Sequence, residues 1–174
     1  VIAGTNCFEH QLTTFLAKIA PIKTGIREHI VQVAGHQLEY LENLPGEQAG
    51  KIVIMIHGSQ PLIKNGGKRF SKSLNVLAQE RIKTFSISLP GHGNSEGSSD
   101  FFGSNSVDML SSLVHKLKEA GTIKQNTEIT LVGHSGGGIV AAQFARKNPN
   151  NTKLVLVNTP MNLYQEFGQT NSYK

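Results

Sequence analysis

Ile129-Thr130-Leu131-Val132-Gly133-His134-Ser135-Gly136-Gly137-Gly138 is the stretch that decides how this chain is read. An apolar, β-branched run enters a glycine. A serine follows within a glycine cluster, and then a helix-forming stretch to Lys147 that stops before Pro149. The pattern is Gly-x-Ser-x-Gly between a strand and a helix. On its own the pentapeptide arises by chance in about 5–10% of chains this long, given Gly and Ser at ~7% each. The flanking strand and helix add the missing specificity. Gly133 and Gly137 leave room where side chains would collide, so the serine can sit in a strained turn with its hydroxyl above the sheet edge. The helix from Gly136 aims free N–H groups and a positive dipole end at that hydroxyl. Ser135 is therefore the candidate nucleophile, and the N–H of Gly136 is a candidate oxyanion donor. A phosphate-binding turn is the competing reading, but neither Gly-x-Gly-x-x-Gly nor a P-loop lysine is present.

Working outward, apolar strands alternate with helical stretches. Lys51 to Ile56 is a continuous apolar run, as expected of a strand buried on both faces. Residues 68–81 place Phe70, Leu74 and Leu77 at helical spacing. Lys83 to Leu89 is the next strand, and Val107 to Ala120 a helix with Leu110, Leu113, Val114 and Leu117 on one face, closed by Gly121. Glu128 to Val132, Gly136 to Lys147 and Lys153 to Val157 continue as strand, helix and strand. A hairpin is predicted before them, from His29–Val33 and Leu38–Leu44 around Gly35, and a short helix before that, Gln11 to Ala20. Such alternation predicts an α/β fold, a mostly parallel sheet with helices on both faces. Working residues of these sheets gather at the C-terminal ends of the strands. All three glycine-rich clusters, near His57, His92 and Ser135, lie there.

Composition narrows the class. The chain has 174 residues, 38% hydrophobic and 17% charged, a globular and not a disordered profile. No run reaches 18 apolar residues, so no membrane anchor is expected. Cys7 is the sole cysteine, which excludes an internal disulfide. The net charge of +5 concentrates in Lys64, Lys68, Arg69, Lys72, Arg81 and Lys83. Without interleaved aromatics for base stacking this reads as a solvated helix face, not a nucleic-acid surface.

Two further motifs complete the pattern: His57-Gly58-Ser59-Gln60 after one strand, and Leu89-Pro90-Gly91-His92-Gly93-Asn94-Ser95-Glu96-Gly97 after the next. Together with the Ser135 turn, residues 27–160 resemble the α/β-hydrolase family. That family carries His-Gly after its third strand, Pro-Gly-His-Gly-x-Ser after its fourth and Gly-His-Ser-x-Gly-Gly after its fifth. The resemblance implies a serine hydrolase acting on an ester, thioester or amide. It implies an oxyanion hole from the N–H groups of Gly136 and Ser59, with His57, His92 and His134 as structural or loop-positioning residues and not the base; His57, Gly58 and His134 are expected on the substrate side. One departure stands out: Leu89 occupies a position where the family usually has Asp, which touches loop anchoring and not the nucleophile.

A serine nucleophile needs a histidine base oriented by an acid. In the resembled family these follow the serine. No histidine occurs after His134, and Glu166 is the only later acid. The expectation is a chain cut short: residues 1–26 a helical extension, 27–160 the hydrolase core, 161–174 the entry to a lid. The alternative is a hydrolase-like module that binds without catalysing. The remaining expectations are a small acyl substrate, no cofactor, no metal, no nucleic-acid partner and a cytoplasmic setting, with the oligomeric state left open.

Overall fold

The computed structural model describes residues 25–45, 50–59 and 65–160. The predicted helix at 11–20 and the lid entry at 161–174 lie outside the described residues.

Strands β1 (Gly25–Val33) and β2 (His36–Leu44) form the expected hairpin, longer than the alternation alone suggested. Next come β3 (Ile52–Ile56), a 3₁₀ turn at Gly66–Phe70, α1 (Ser71–Gln79), β4 (Lys83–Ile87), α2 (Ser104–Glu119), β5 (Ile129–His134), α3 (Gly136–Lys147), a 3₁₀ turn at Pro149–Asn151 and β6 (Thr152–Val157). The sheet order is β1-β2-β4-β3-β5-β6. The strands β4, β3, β5 and β6 run parallel, while β2 joins β4 antiparallel.

Strand β3 shows why an unbroken apolar run was needed. Side chains alternate across a sheet. Ile52, Ile54 and Ile56 enter the larger core, with Phe85 and Ile87 of β4 and Leu131 of β5, under Leu110 and Leu113 of α2 and Val140 and Phe144 of α3. Met55 and Val53 face the opposite side, with Leu41, Val132 and Leu74 of α1. Helices thus cover both faces, as a parallel sheet requires.

Helix α2 begins three residues before the predicted Val107. Asp100, outside the helix, accepts hydrogen bonds from the N–H and hydroxyl of Ser106, so it satisfies a free donor of the first turn. Asp108, in the first turns of α2, faces solvent beside Lys147 at 3.4 Å. Of the basic cluster, Lys64 lies outside the described residues, Lys68 pairs with Glu28 and the buried Glu39, and Lys83 departs from the solvated reading. Lys83 is buried in β4, paired with Glu42 of β2 and lying over the Phe85 ring.

Strand β6 forms an edge, and Leu154, Val155 and Val157 on it are exposed. Among the described residues no helix is long and apolar enough to cross a membrane.

Candidate active site

Strand β5 delivers Ser135 to the start of α3 with φ 51° and ψ −127°. A side-chain-bearing residue is rarely stable there, at a cost on the order of 1–3 kcal/mol, so its surroundings must hold it. They do. The Ser135 N–H donates to the Val157 carbonyl at 2.8 Å, and the Ser135 carbonyl accepts from Gly138 N–H at 2.9 Å. The flanking glycines are spatial necessities. A Cβ on Gly133 would press on the Gly137 oxygen and the Gly138 nitrogen, both at 2.7 Å. A Cβ on Gly137 would meet the His57 carbonyl oxygen at 2.5 Å.

The His57-Gly58 loop meets this turn. A Cβ on Gly58 would lie 2.6 Å from Ser135 Cβ and 3.2 Å from its Oγ. Ser59 follows directly and is exposed. The structure therefore brings Gly58 against Ser135, with Gly136 buried at the first turn of α3. Among the described residues, no side chain hydrogen-bonds Ser135 Oγ.

His57 is placed differently from the substrate-side expectation. It is fully buried, and both ring nitrogens are occupied within the protein. Nε2 accepts from the Leu89 N–H at 3.0 Å, which leaves Nδ1 to donate to the Gly58 carbonyl at 2.7 Å. Burial pushes its pKa down to about 4, against the Gly58 hydrogen bond, so it is neutral near pH 7. His92 sits against it, with ring centroids 4.6 Å apart, and its Nδ1 lies 3.1 Å from the Pro90 carbonyl oxygen. His134 ends β5, and its Nδ1 is buried without a hydrogen-bond partner among the described residues. His115 is on the surface, 3.1 Å from Glu119.

Two features of the site were not read from sequence. The Phe102 ring packs directly on Gly136, where any added Cβ would collide with it. Phe101 and Phe102 both have positive φ, 50° and 68°. Two adjacent aromatics in an otherwise polar loop were the available signal. The second is Glu39 of β2, a buried carboxylate beside the His92 loop. A 250 Å³ pocket lies elsewhere, beside Ile129 at the start of β5, the opposite end of that strand from Ser135. Among the described residues no group of three or more His, Cys, Asp or Glu is placed to hold a metal ion.

The family model described as serine aminopeptidase, S33, matches residues 47–172. The protein phosphatase methylesterase 1 of Candida albicans is 30% identical over 126 residues, covering 72% of this chain and 32% of that protein. Among solved structures, the epoxide hydrolase CorEH superposes with a TM-score of 0.62 at 20% identity, covering 83% of this chain and 50% of that one. A bacterial membrane phospholipase A superposes with a TM-score of 0.60 at 22% identity, covering 88% and 45%. The chain thus spans about a third of the curated relative and half or less of these structures.

Proposed function

Because the chain belongs to the serine aminopeptidase S33 family of α/β-hydrolases, we propose that it is the nucleophile-bearing part of a serine acyl hydrolase. Ser135 Oγ attacks the carbonyl carbon of a carboxylic ester, thioester or amide. The Oγ proton passes to the base and from it to the leaving group, the C–O, C–S or C–N bond breaks, and an acyl-serine forms. Water then hydrolyses that ester and restores the hydroxyl. The developing oxyanion is received by the N–H groups of Gly136 and Ser59.

The observation that carries this reading is the backbone of Ser135 at φ 51°, ψ −127°, with Gly58 packed on its Cβ. Strain of this kind persists where surrounding structure over-determines it, and it clusters at reactive sites. The methylesterase relative favours a carboxylic ester as the substrate class. A serine at the turn favours an acyl-enzyme over the chemistry of a carboxylate nucleophile.

His57 fits the role of a support and not of the base, since both its nitrogens are occupied. In this reading the base and its acid are supplied from outside the described residues. The test is hydrolysis of p-nitrophenyl acetate by the 174-residue chain and by the longest protein its reading frame encodes, each with and without Ser135→Ala. We expect turnover by the longer protein that Ser135→Ala removes, and slow turnover by the 174-residue chain. Loss of one triad member costs on the order of 10⁴–10⁶ in turnover. Hydrolysis indifferent to Ser135→Ala would overturn the nucleophile. Fast, Ser135-dependent hydrolysis by the 174-residue chain would place the base among its own seven histidines.

A further inference from the structure

The Glu39 side chain is fully buried, yet it is amply hydrogen-bonded. Its Oε2 accepts from Ser88 Oγ at 2.7 Å and from Asn94 N–H at 3.3 Å. Its Oε1 accepts from Asn94 Nδ2 at 2.7 Å, and Lys68 Nζ stands 3.5 Å away. The backbone of the same residue is engaged as well. Glu39 N–H donates to Ser95 Oγ at 2.9 Å, and its carbonyl accepts from Ser88 N–H at 2.9 Å. Gly93 has φ +56° and lies so close to Oε2 that any Cβ there would collide with the carboxylate. A single buried residue of β2 therefore holds the segment 88–95, its side chain at Ser88 and Asn94 and its backbone at Ser88 and Ser95.

That segment supports the site through a short chain of contacts. Leu89, next to Ser88, donates its N–H to His57 Nε2. His57 Nδ1 donates to the Gly58 carbonyl. The Gly58 carbonyl and the Ser59 N–H belong to one planar trans peptide and point in opposite directions. A hydrogen bond on the carbonyl edge thus fixes the aim of the N–H edge and polarises it as a donor. A buried carboxylate is tolerated only when paired and hydrogen-bonded, and this one spends its bonds on the loop.

We propose that Glu39 is a positioning residue for the oxyanion hole, acting through Ser88 and Asn94 on the Leu89–His57–Gly58 chain to orient the Ser59 N–H. Glu39 takes the anchoring role left open by Leu89, which has no carboxylate to give. This inference rests on the serine-hydrolase reading above, but its first readout does not depend on catalysis.

The experiment compares wild type, Glu39→Ala and Asn94→Ala of the longest protein the reading frame encodes, ¹⁵N-labelled and in the p-nitrophenyl acetate assay. Asn94 is exposed, and Asn94→Ala leaves the Glu39 carboxylate Ser88 Oγ, the residue-94 N–H and Lys68 as partners, so it is the milder of the two variants. We expect amide exchange at Leu89 to speed by at least about tenfold relative to Phe85 within β4. His57 should lose its single Nδ1–H tautomer in its imidazole ¹⁵N signals. The kcat should fall about 10–100-fold while KM changes by less than about threefold, since a small misplacement of a donor acts on the transition state. Asn94→Ala should move the same readouts in the same direction by less. Unchanged Leu89 exchange and His57 signals in a folded variant overturn the proposal. So does an altered His57 with unchanged kcat, because the loop would then not reach the chemistry. Failure of the serine-hydrolase reading shows separately, as hydrolysis indifferent to Ser135→Ala.

Discussion

Gly58 lies edge-on against Ser135, so that a Cβ at position 58 would come within 2.6 Å of the serine Cβ and 2.8 Å of the His134 carbonyl oxygen. Neither neighbour is the free end of a flexible side chain. Gly58→Ala should therefore push the two loops apart. The expected destabilisation is about 1–3 kcal/mol, the range for overpacking a close contact, read as a lowered urea midpoint. Ser135-dependent ester hydrolysis should fall in the same variant under conditions where it is still fully folded. An unchanged midpoint would mean that the contact relaxes freely.

Gly136 and Phe102 make a matched pair. Gly136→Ala should destabilise the protein because its methyl group meets the Phe102 ring. Phe102→Ala removes the obstacle. The double variant should then be more stable than the sum of the two single effects predicts, by about 0.5–3 kcal/mol of coupling. Thermal or urea unfolding of all four proteins gives the coupling directly, and strict additivity would refute the packing described.

His57 predicts a pH dependence of stability. Its folded pKa, about 4, lies below the ordinary 6.5, because burial opposes the charged ring. The unfolded chain therefore binds more protons between these values. His57's contribution is fully present above about pH 6.5 and is lost as pH falls toward 4. The loss is on the order of 3 kcal/mol. Glu42 acts at lower pH. Burial would raise its pKa, but hydrogen bonds and charges from Lys83 and His29 hold it below the usual carboxylate value. Its contribution is present above about pH 4.5 and is lost as pH falls further. Urea midpoints at pH 7, 5.5, 4.5 and 3 in wild type and His57→Gln should separate the two, with the variant flatter across the upper window and still falling below pH 4.5.

Lys83 and Glu42 are both nearly buried and ion-paired, and Glu42 also bonds His29 at 2.7 Å. Lys83→Met leaves the carboxylate with one partner fewer in a dry setting. The expected loss is about 3–5 kcal/mol. Adding Glu42→Leu should recover most of it, since a buried pair replaced by apolar residues is often near neutral. A double variant no better than Lys83→Met would show that the network supplies stability beyond charge compensation.

The residues that announced the fold did so through local chemistry. Ile52, Ile54 and Ile56 alternate with Val53 and Met55, and an all-apolar strand can only be central. Gly133, Ser135 and Gly137 marked the turn because their spacing encodes a steric problem solved within five residues. Gly58 could be read beside them because it too ends a strand. Glu39 escaped notice because its partners, Ser88 and Asn94, lie 49 and 55 positions away and its strand looks merely amphipathic. Lys83 was read as solvated for the same reason, since Glu42 faces it only once β2 and β4 pair. Asp100 caps α2 from outside the helix, so periodicity alone set the helix start too late.

The order of the strands also has a consequence in time. β3, one of the two central strands, has neither of its neighbours upstream: β4 follows at 83–87 and β5 at 129–134. During synthesis at ~5–20 residues per second, the strand leaves the ribosome well before its second flank exists. Roughly 80 further residues must be made, a delay of about 4–16 s. Through that interval five consecutive apolar residues have no sheet to join on one side. The nascent chain is most exposed to misassociation just before β5 emerges, and a pause before residue 129 would prolong that interval.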